Sequence, residues 1–177
     1  MLGRMRLETE RLVLRPWRKG DEEALVRHAD NRRVWLNLRD LFPHPYTLDD
    51  ARDFIGLNAL KPDPPMNLAI EHAGEPIGSI GLHPLADVSR FTAEVGYWIG
   101  EELWGRGLAT EALRRFTDYA FEQFPFERLE GWIFETNASS GRVLEKAGYE
   151  LEATLRRSAF KDGRFLDCHL YVRFRPR

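Results

Sequence analysis

The stretch Glu94-Val95-Gly96-Tyr97-Trp98-Ile99-Gly100, followed after a three-residue connector by Trp104-Gly105-Arg106-Gly107-Leu108-Ala109-Thr110-Glu111-Ala112, decides how the rest of the chain is read. Its first half is rich in β-branched and aromatic residues and reads as a strand. Its second half turns on two glycines into a run whose apolar residues Ala112, Leu113, Phe116, Tyr119 and Ala120 recur at helical spacing. Glycine lets a backbone turn sharply and approach a ligand. The first amides of a helix have no intrahelical acceptor and point outward at the positive end of the helix dipole. Strand, glycine turn and helix in succession therefore outline a pyrophosphate site. They equally outline an ordinary strand-to-helix turn, and spacing alone does not separate the two. Two better-known phosphate motifs fail here: no Gly-Lys-Ser/Thr closes the turn, and Gly105-x-Gly107-x-x-Thr110 lacks the third glycine of a dinucleotide fingerprint.

Working outward, Arg11 to Trp17 alternates like a strand, and Gly20-Asp21 starts a helical stretch through roughly Val34. Thr47 can cap a second helix that carries Asp49 and Asp50 in its first turn. Between them the segment from Leu41 to Tyr46 holds Pro43 and Pro45, and Pro62, Pro64 and Pro65 mark another loop. Three strands follow, about Asn67 to His72, Pro76 to His83 and Phe91 to Ile99, with short connections that favour an antiparallel meander. After the glycine-led helix come a strand near Arg128 to Glu135, a helix from about Ser139 to Ala147 ended by Gly148, and two strands around Asp162-Gly163. The last strand alternates Leu166, Cys168, Leu170, Val172 and Phe174 on one face. No repeat or linker divides the chain, so one domain over residues 1–177 is expected.

Acidic and basic residues number 28 and 26, for a net charge of −2, so no global field favours a nucleic acid or an anionic membrane. Any anion site is local. Cys168 is the sole cysteine, which rules out an internal disulfide framework and fits a reducing, cytoplasmic setting. Met1 to Glu8 is charged too early for a signal peptide, and no apolar run reaches membrane-spanning length. The histidines at 28, 44, 72, 83 and 169 show no paired ligand spacing, so no metal is expected.

The run from Glu94 to Ala112, together with Asn137-Ala138-Ser139-Ser140-Gly141-Arg142-Val143-Leu144-Glu145-Lys146-Ala147-Gly148-Tyr149, resembles the GNAT superfamily of N-acetyltransferases, specifically its RimJ/RimL-type branch. The likeness extends from Leu7-Glu8-Thr9-Glu10-Arg11-Leu12 through Tyr46-Thr47 to Leu170-Tyr171. It implies an α/β (α+β) domain with a mixed, mostly antiparallel sheet of about seven strands and about four flanking helices, splayed between the fourth and fifth strands. It also implies acetyl-CoA as cosubstrate, and it allows a homodimer. Backbone groups of Tyr97, Trp98 and Ile99 would pair with the pantetheine arm, and the amides of Gly105, Arg106, Gly107, Leu108, Ala109 and Thr110 would hold the pyrophosphate. The Thr110 hydroxyl could add to them. Trp104 stands where the wider superfamily has Gln or Arg.

Acetyl transfer to an amine needs a polarised thioester carbonyl, a proton for the departing thiolate and a base for the amine. An unpaired amide near Trp98 or Ile99 suits the first role. The resemblance places Ser140 near the cofactor sulfur and Asn137 against the pantetheine arm, although both residues also suit a helix cap. Glu94 is the candidate base, or else a polar residue on the open face of a strand. The later strand reads Arg157-Ser158-Ala159-Phe160 where some relatives carry a carboxylate, which closes that route. Cys168 lies in an apolar alternation and reads as a core thiol, favouring direct transfer in a ternary complex over an acetyl-cysteine route.

Trp35, Phe42, His44, Tyr46 and His83 are candidates to line the acceptor site, or to hold the fold. The acceptor is a peptide N-terminus or a small-molecule amine. Rival readings are a non-catalytic acyl-CoA-binding module and a Rossmann-type nucleotide domain, whose glycine turn would follow the first strand and not the fourth.

Overall fold

A computed structural model describes residues 5–60 and 63–177; Met1 to Arg4 and Pro62, read above from sequence, lie outside the described residues. Eight strands form one sheet in the order β1-β2-β3-β4-β5-β6-β8-β7: β1 Leu7–Glu8, β2 Leu12–Arg15, β3 Asn67–His72, β4 Glu75–Pro84, β5 Thr92–Ile99, β6 Arg128–Phe134, β7 Glu150–Lys161 and β8 Arg164–Phe174. Every neighbouring pair is antiparallel except β5 and β6. One strand more than expected arises because the two-residue β1, too short for a periodicity to show, pairs with β2.

Among the described residues five α-helices accompany the sheet: α1 Glu22–Ala29, α2 Arg32–Trp35, α3 Leu48–Ala59, α4 Leu108–Gln123 and α5 Ala138–Lys146. The single helical stretch expected through Val34 is two helices. Asn31 is extended and its side chain accepts from the amides of Arg33 and Val34, so it starts α2 where α1 has ended. Thr47 caps α3 as expected, in a reciprocal capping box with Asp50.

Two apolar cores sandwich the sheet, and strand periodicity assigns residues to each. On β3, Leu68 and Ile70 face the core shared with Leu113, Phe116 and Ala120 of α4. Ala69 between them faces the core of Trp17, Leu25, Ala51 and Ile55 under α1 and α3. Leu113 and Phe116 are fully buried, each contributing about 2 kcal/mol of apolar burial. The last strand departs from its expected pattern at its end: Leu166, Cys168, Leu170 and Val172 are buried, whereas Phe174 is 59% exposed where β8 outruns the core.

β5 sorts in the same way. Val95, Tyr97 and Ile99 belong to the α4 core, while Trp98 packs against the α1–α3 core. Glu94 and Gly96, four and two residues before Trp98, share its face.

Candidate active site

β5 and β6 pair only at Thr92 with Arg128, Ala93 with Leu129 and Glu94 with Glu130. Beyond Glu94 the two strands part, while β5 stays paired to β4 as far as Ile99. The splay expected between the fourth and fifth strands is therefore present, between what are now β5 and β6. The amide of Gly100 donates to Ile77 O on β4 at 2.9 Å. Across the same planar peptide the Ile99 carbonyl points the opposite way, into the splay, where the Trp104 indole N–H donates to it at 2.7 Å. Backbone groups alternate sides along a strand, so Tyr97 and Ile99 present their amides and carbonyls to the splay, and those of Trp98 face β4.

The glycine loop opens α4 at the end of the same strand. Gly105 and Gly107 have φ of +76° and +77°, a left-handed backbone that glycine adopts without strain. Gly107 is the N-cap and has no side chain with which to satisfy the amides of Leu108, Ala109 and Thr110, which by helix geometry have no intrahelical acceptor. Gly105, Arg106 and Gly107 are exposed, Ala109 is half-buried, and Leu108 and Thr110 are buried. Oriented donors with no partner among the described residues, at the positive end of a 16-residue helix, fit a pyrophosphate.

α5 supplies the next part. Asn137 caps it, its Oδ1 accepting from Ser140 N at 3.3 Å and from Ser139 Oγ at 3.0 Å. Ser140 Oγ lies 2.7 Å from the Tyr97 hydroxyl, which also donates to Ser140 O at 3.3 Å. The sequence had suggested only a backbone role for Tyr97; its side chain bridges β5 to α5. Burial pushes its phenol far above the ordinary range, so it is a neutral hydrogen-bonding group at any working pH.

The other face of β5 holds the remaining candidates. A cavity of about 420 Å³ is lined by Leu38, Arg39, Asp40, Glu94, Trp132, Phe134, Ala159, Phe160, Lys161 and Cys168. Glu94, half-buried, is ion-paired to the exposed Arg39. Lys161 is 3% exposed, bonded to Asp40 at 2.7 Å, with its ammonium 3.6 Å from the centre of the Trp35 ring. It also borders a second cavity, of about 290 Å³, whose wall includes Trp104, Asn137 and Ser139. Lys161 thus lies where the Glu94 side and the Asn137 side meet. Cys168 is buried, as expected, and its one open side is part of the cavity wall.

The residues expected to line an acceptor site fare differently. Tyr46 and Phe42 pack on each other at 4.9 Å, and Phe42 packs on Trp98 at 5.6 Å. Tyr46 is 5% exposed in the α1–α3 core. Trp35 stacks on His44 at 5.6 Å and carries Lys161, so it reaches the cavity through that lysine. His83 is exposed and stands opposite Glu94 in the β4–β5 register, close to Gly96. Arg39 and Lys161 escaped the sequence reading because neither has a local signal: one is in a loop, the other just before a hairpin turn.

An acetyltransferase (GNAT) domain family matches residues 11–150. The chain is 31% identical over 173 residues, 97% of each protein, to the uncharacterised N-acetyltransferase YoaA of Bacillus subtilis. It is 32% identical to the putative ribosomal N-acetyltransferase YdaF of the same organism, over 84% of this chain and 81% of that one. The structure of RimL, a ribosomal L7/L12 alpha-N-protein acetyltransferase in complex with coenzyme A, superposes with a TM-score of 0.83 over 96% of this chain and 98% of that one; at 18% identity this likeness speaks for the fold. On the family match and these two relatives, the chain belongs to the GNAT acetyltransferases.

Proposed function

We propose that the protein transfers the acetyl group of acetyl-CoA directly to a primary amine within a ternary complex. The observation that carries this reading is the splay itself. It begins at Glu94, runs past the edge of β5 at Tyr97 and Ile99, where β6 no longer pairs, and ends at the uncapped glycine loop, with Ser140 on one side and the Glu94 cavity on the other. Acetyl-CoA supplies the activated acyl thioester when bound.

The chain's residues divide the work. Amides from Gly105 to Thr110 take the pyrophosphate, while Asn137 and the edges of Tyr97 and Ile99 take the pantetheine arm. Of the two amides considered for the thioester carbonyl, the Ile99 N–H faces the splay and the Trp98 N–H is turned to β4. The single Tyr97 hydroxyl proton can go to Ser140 O or to Ser140 Oγ; given to Oγ, it leaves the Ser140 proton free for the departing sulfur. Glu94 accepts the proton that the amine must lose, directly or through a water. In the free protein Arg39 holds this carboxylate, and an incoming ammonium exchanges places with it.

The cavity walls of Leu38, Trp132, Phe134 and Phe160 favour an amine borne on an apolar body, on a peptide N-terminus or a small molecule. The test is thiol release from acetyl-CoA against peptides of varied first residue, polyamines, aminoglycosides and amino sugars. Amine-dependent release is expected. Calorimetric binding of CoA without release from any acceptor would instead make the protein a non-catalytic acyl-CoA-binding module.

A further inference from the structure

We propose that the turn joining β1 to β2 is a brace that orients the pyrophosphate loop, with Arg11 as a positioning residue for CoA; the inference rests on the cofactor reading above.

The starting point is an electrostatic conflict. Glu111 lies in the first turn of α4, where a carboxylate suits the helix dipole but would oppose a diphosphate at the same helix end. The structure turns that charge away. Glu111 Oε1 accepts from Thr9 Oγ1 at 2.6 Å and from the Arg11 amide at 2.8 Å, while Oε2 accepts from Arg11 Nε at 2.8 Å and Nη2 at 2.7 Å. Partial burial works to raise the Glu111 pKa, but the bonds from Thr9 and Arg11 outweigh it and hold the group below the usual carboxylate value. The acid is thereby committed to the hairpin.

The same guanidinium then reaches the loop. Arg11 Nη1 donates to the Arg106 carbonyl at 2.8 Å. Because the peptide is planar and trans, a carbonyl pinned towards Arg11 sends the Gly107 N–H the other way, outward from the brace. Gly107 itself lies against the guanidinium: a Cβ there would be 3.5 Å from Arg11 Nη2. The turn is kept tight by Thr9, whose amide donates to Leu12 O at 2.9 Å and whose hydroxyl accepts from the Leu12 amide at 2.9 Å. Two motifs about a hundred residues apart in sequence, Thr9-Glu10-Arg11 and Gly107-Leu108-Ala109-Thr110-Glu111, thus form one unit.

The experiment compares a ligand that has the pyrophosphate with one that lacks it. Calorimetry gives Kd for CoA, and donor kinetics give kcat/KM for acetyl-CoA and for S-acetylpantetheine, in the wild type, Arg11→Met and Arg11→Lys. In Arg11→Met we expect the CoA Kd to rise about tenfold and kcat/KM for acetyl-CoA to fall in step, because Glu111 is unmasked and the Arg106 carbonyl released. S-acetylpantetheine, which never meets the loop, should stay within about twofold. Arg11→Lys keeps the charge but cannot hold Glu111 and Arg106 O together, so it should restore only part of the CoA affinity and also serves if Arg11→Met fails to fold. A CoA affinity unchanged in both variants, or equal losses with the two donors, overturns the brace. A wild type with no affinity for CoA overturns the cofactor reading instead.

Discussion

The two faces of β5 carry the two halves of the proposed site, and they are built in different ways. Where the side chains of Tyr97 and Ile99 face α4, the ligand-holding groups are backbone: the splayed edge of those two residues and the amides after Gly107. On the α1–α3 face they are side chains, brought together from residues 38–40, from β5 and β6, and from the β7–β8 hairpin. A backbone site constrains its sequence locally, because only glycine sits at φ near +77° without strain and only a helix start offers unpaired amides. A side-chain site assembled across the sheet leaves no such local trace.

The largest expected effect falls at Ser140, beside Tyr97 on the splay. Ser140→Ala should lower kcat by about a hundredfold if its hydroxyl serves the leaving thiolate, with the CoA Kd little changed. Steady-state turnover together with calorimetry checks this, and unchanged turnover would leave Ser140 as a mere capping neighbour of Asn137. Tyr97→Phe should give a milder loss in kcat, because it removes only the hydroxyl that holds Ser140. Next comes Gly107→Val. A β-branched residue in the left-handed region is strained by about 1–2 kcal/mol, so the loop must shift to relieve it. The CoA Kd should rise about tenfold while KM for the amine holds, which separates the two faces experimentally.

That contrast also explains what could be read in advance. The strand–glycine–helix unit, the capped α5 and the splay all follow from local chemistry plus the resemblance it supports, and the sheet places them as expected. Glu94 is among the cavity residues, but its partner Arg39 was invisible, since nothing in Leu38-Arg39-Asp40 distinguishes it from any charged loop. Tyr46 and Phe42 had the aromatic character of a binding wall, yet neither lines the cavity and both pack with the α1–α3 core, the more frequent fate of large aromatics. The split between α1 and α2 turned on one side chain, Asn31, whose preference for capping outweighs the apolar spacing around it.

A smaller effect tests the acceptor face alone. Arg39→Ala frees Glu94 from a cation that competes with the incoming ammonium. A pair with one exposed and one half-buried partner is worth up to about 1 kcal/mol here, so KM for a simple primary amine should fall by up to about fivefold, with no change in CoA affinity. A rise in KM would show instead that Arg39 itself grips the acceptor, through an anionic group on it.

The smallest effect belongs to Cys168. Its thiol is buried within β8, yet one side is open to the cavity that holds Glu94, so a covalent acetyl-cysteine route has a physical place to occur. Direct transfer makes a definite forecast against it. In Cys168→Ala, kcat should stay within about twofold, and the slight widening of the cavity should show first in KM for the amine. If the thiol were the acyl carrier, losing it would remove a nucleophile, and turnover would fall by orders of magnitude. Double-reciprocal plots add an independent readout: intersecting lines for the two substrates are expected from a ternary complex, whereas parallel lines would mean that the acetyl group rests on the protein before the amine arrives.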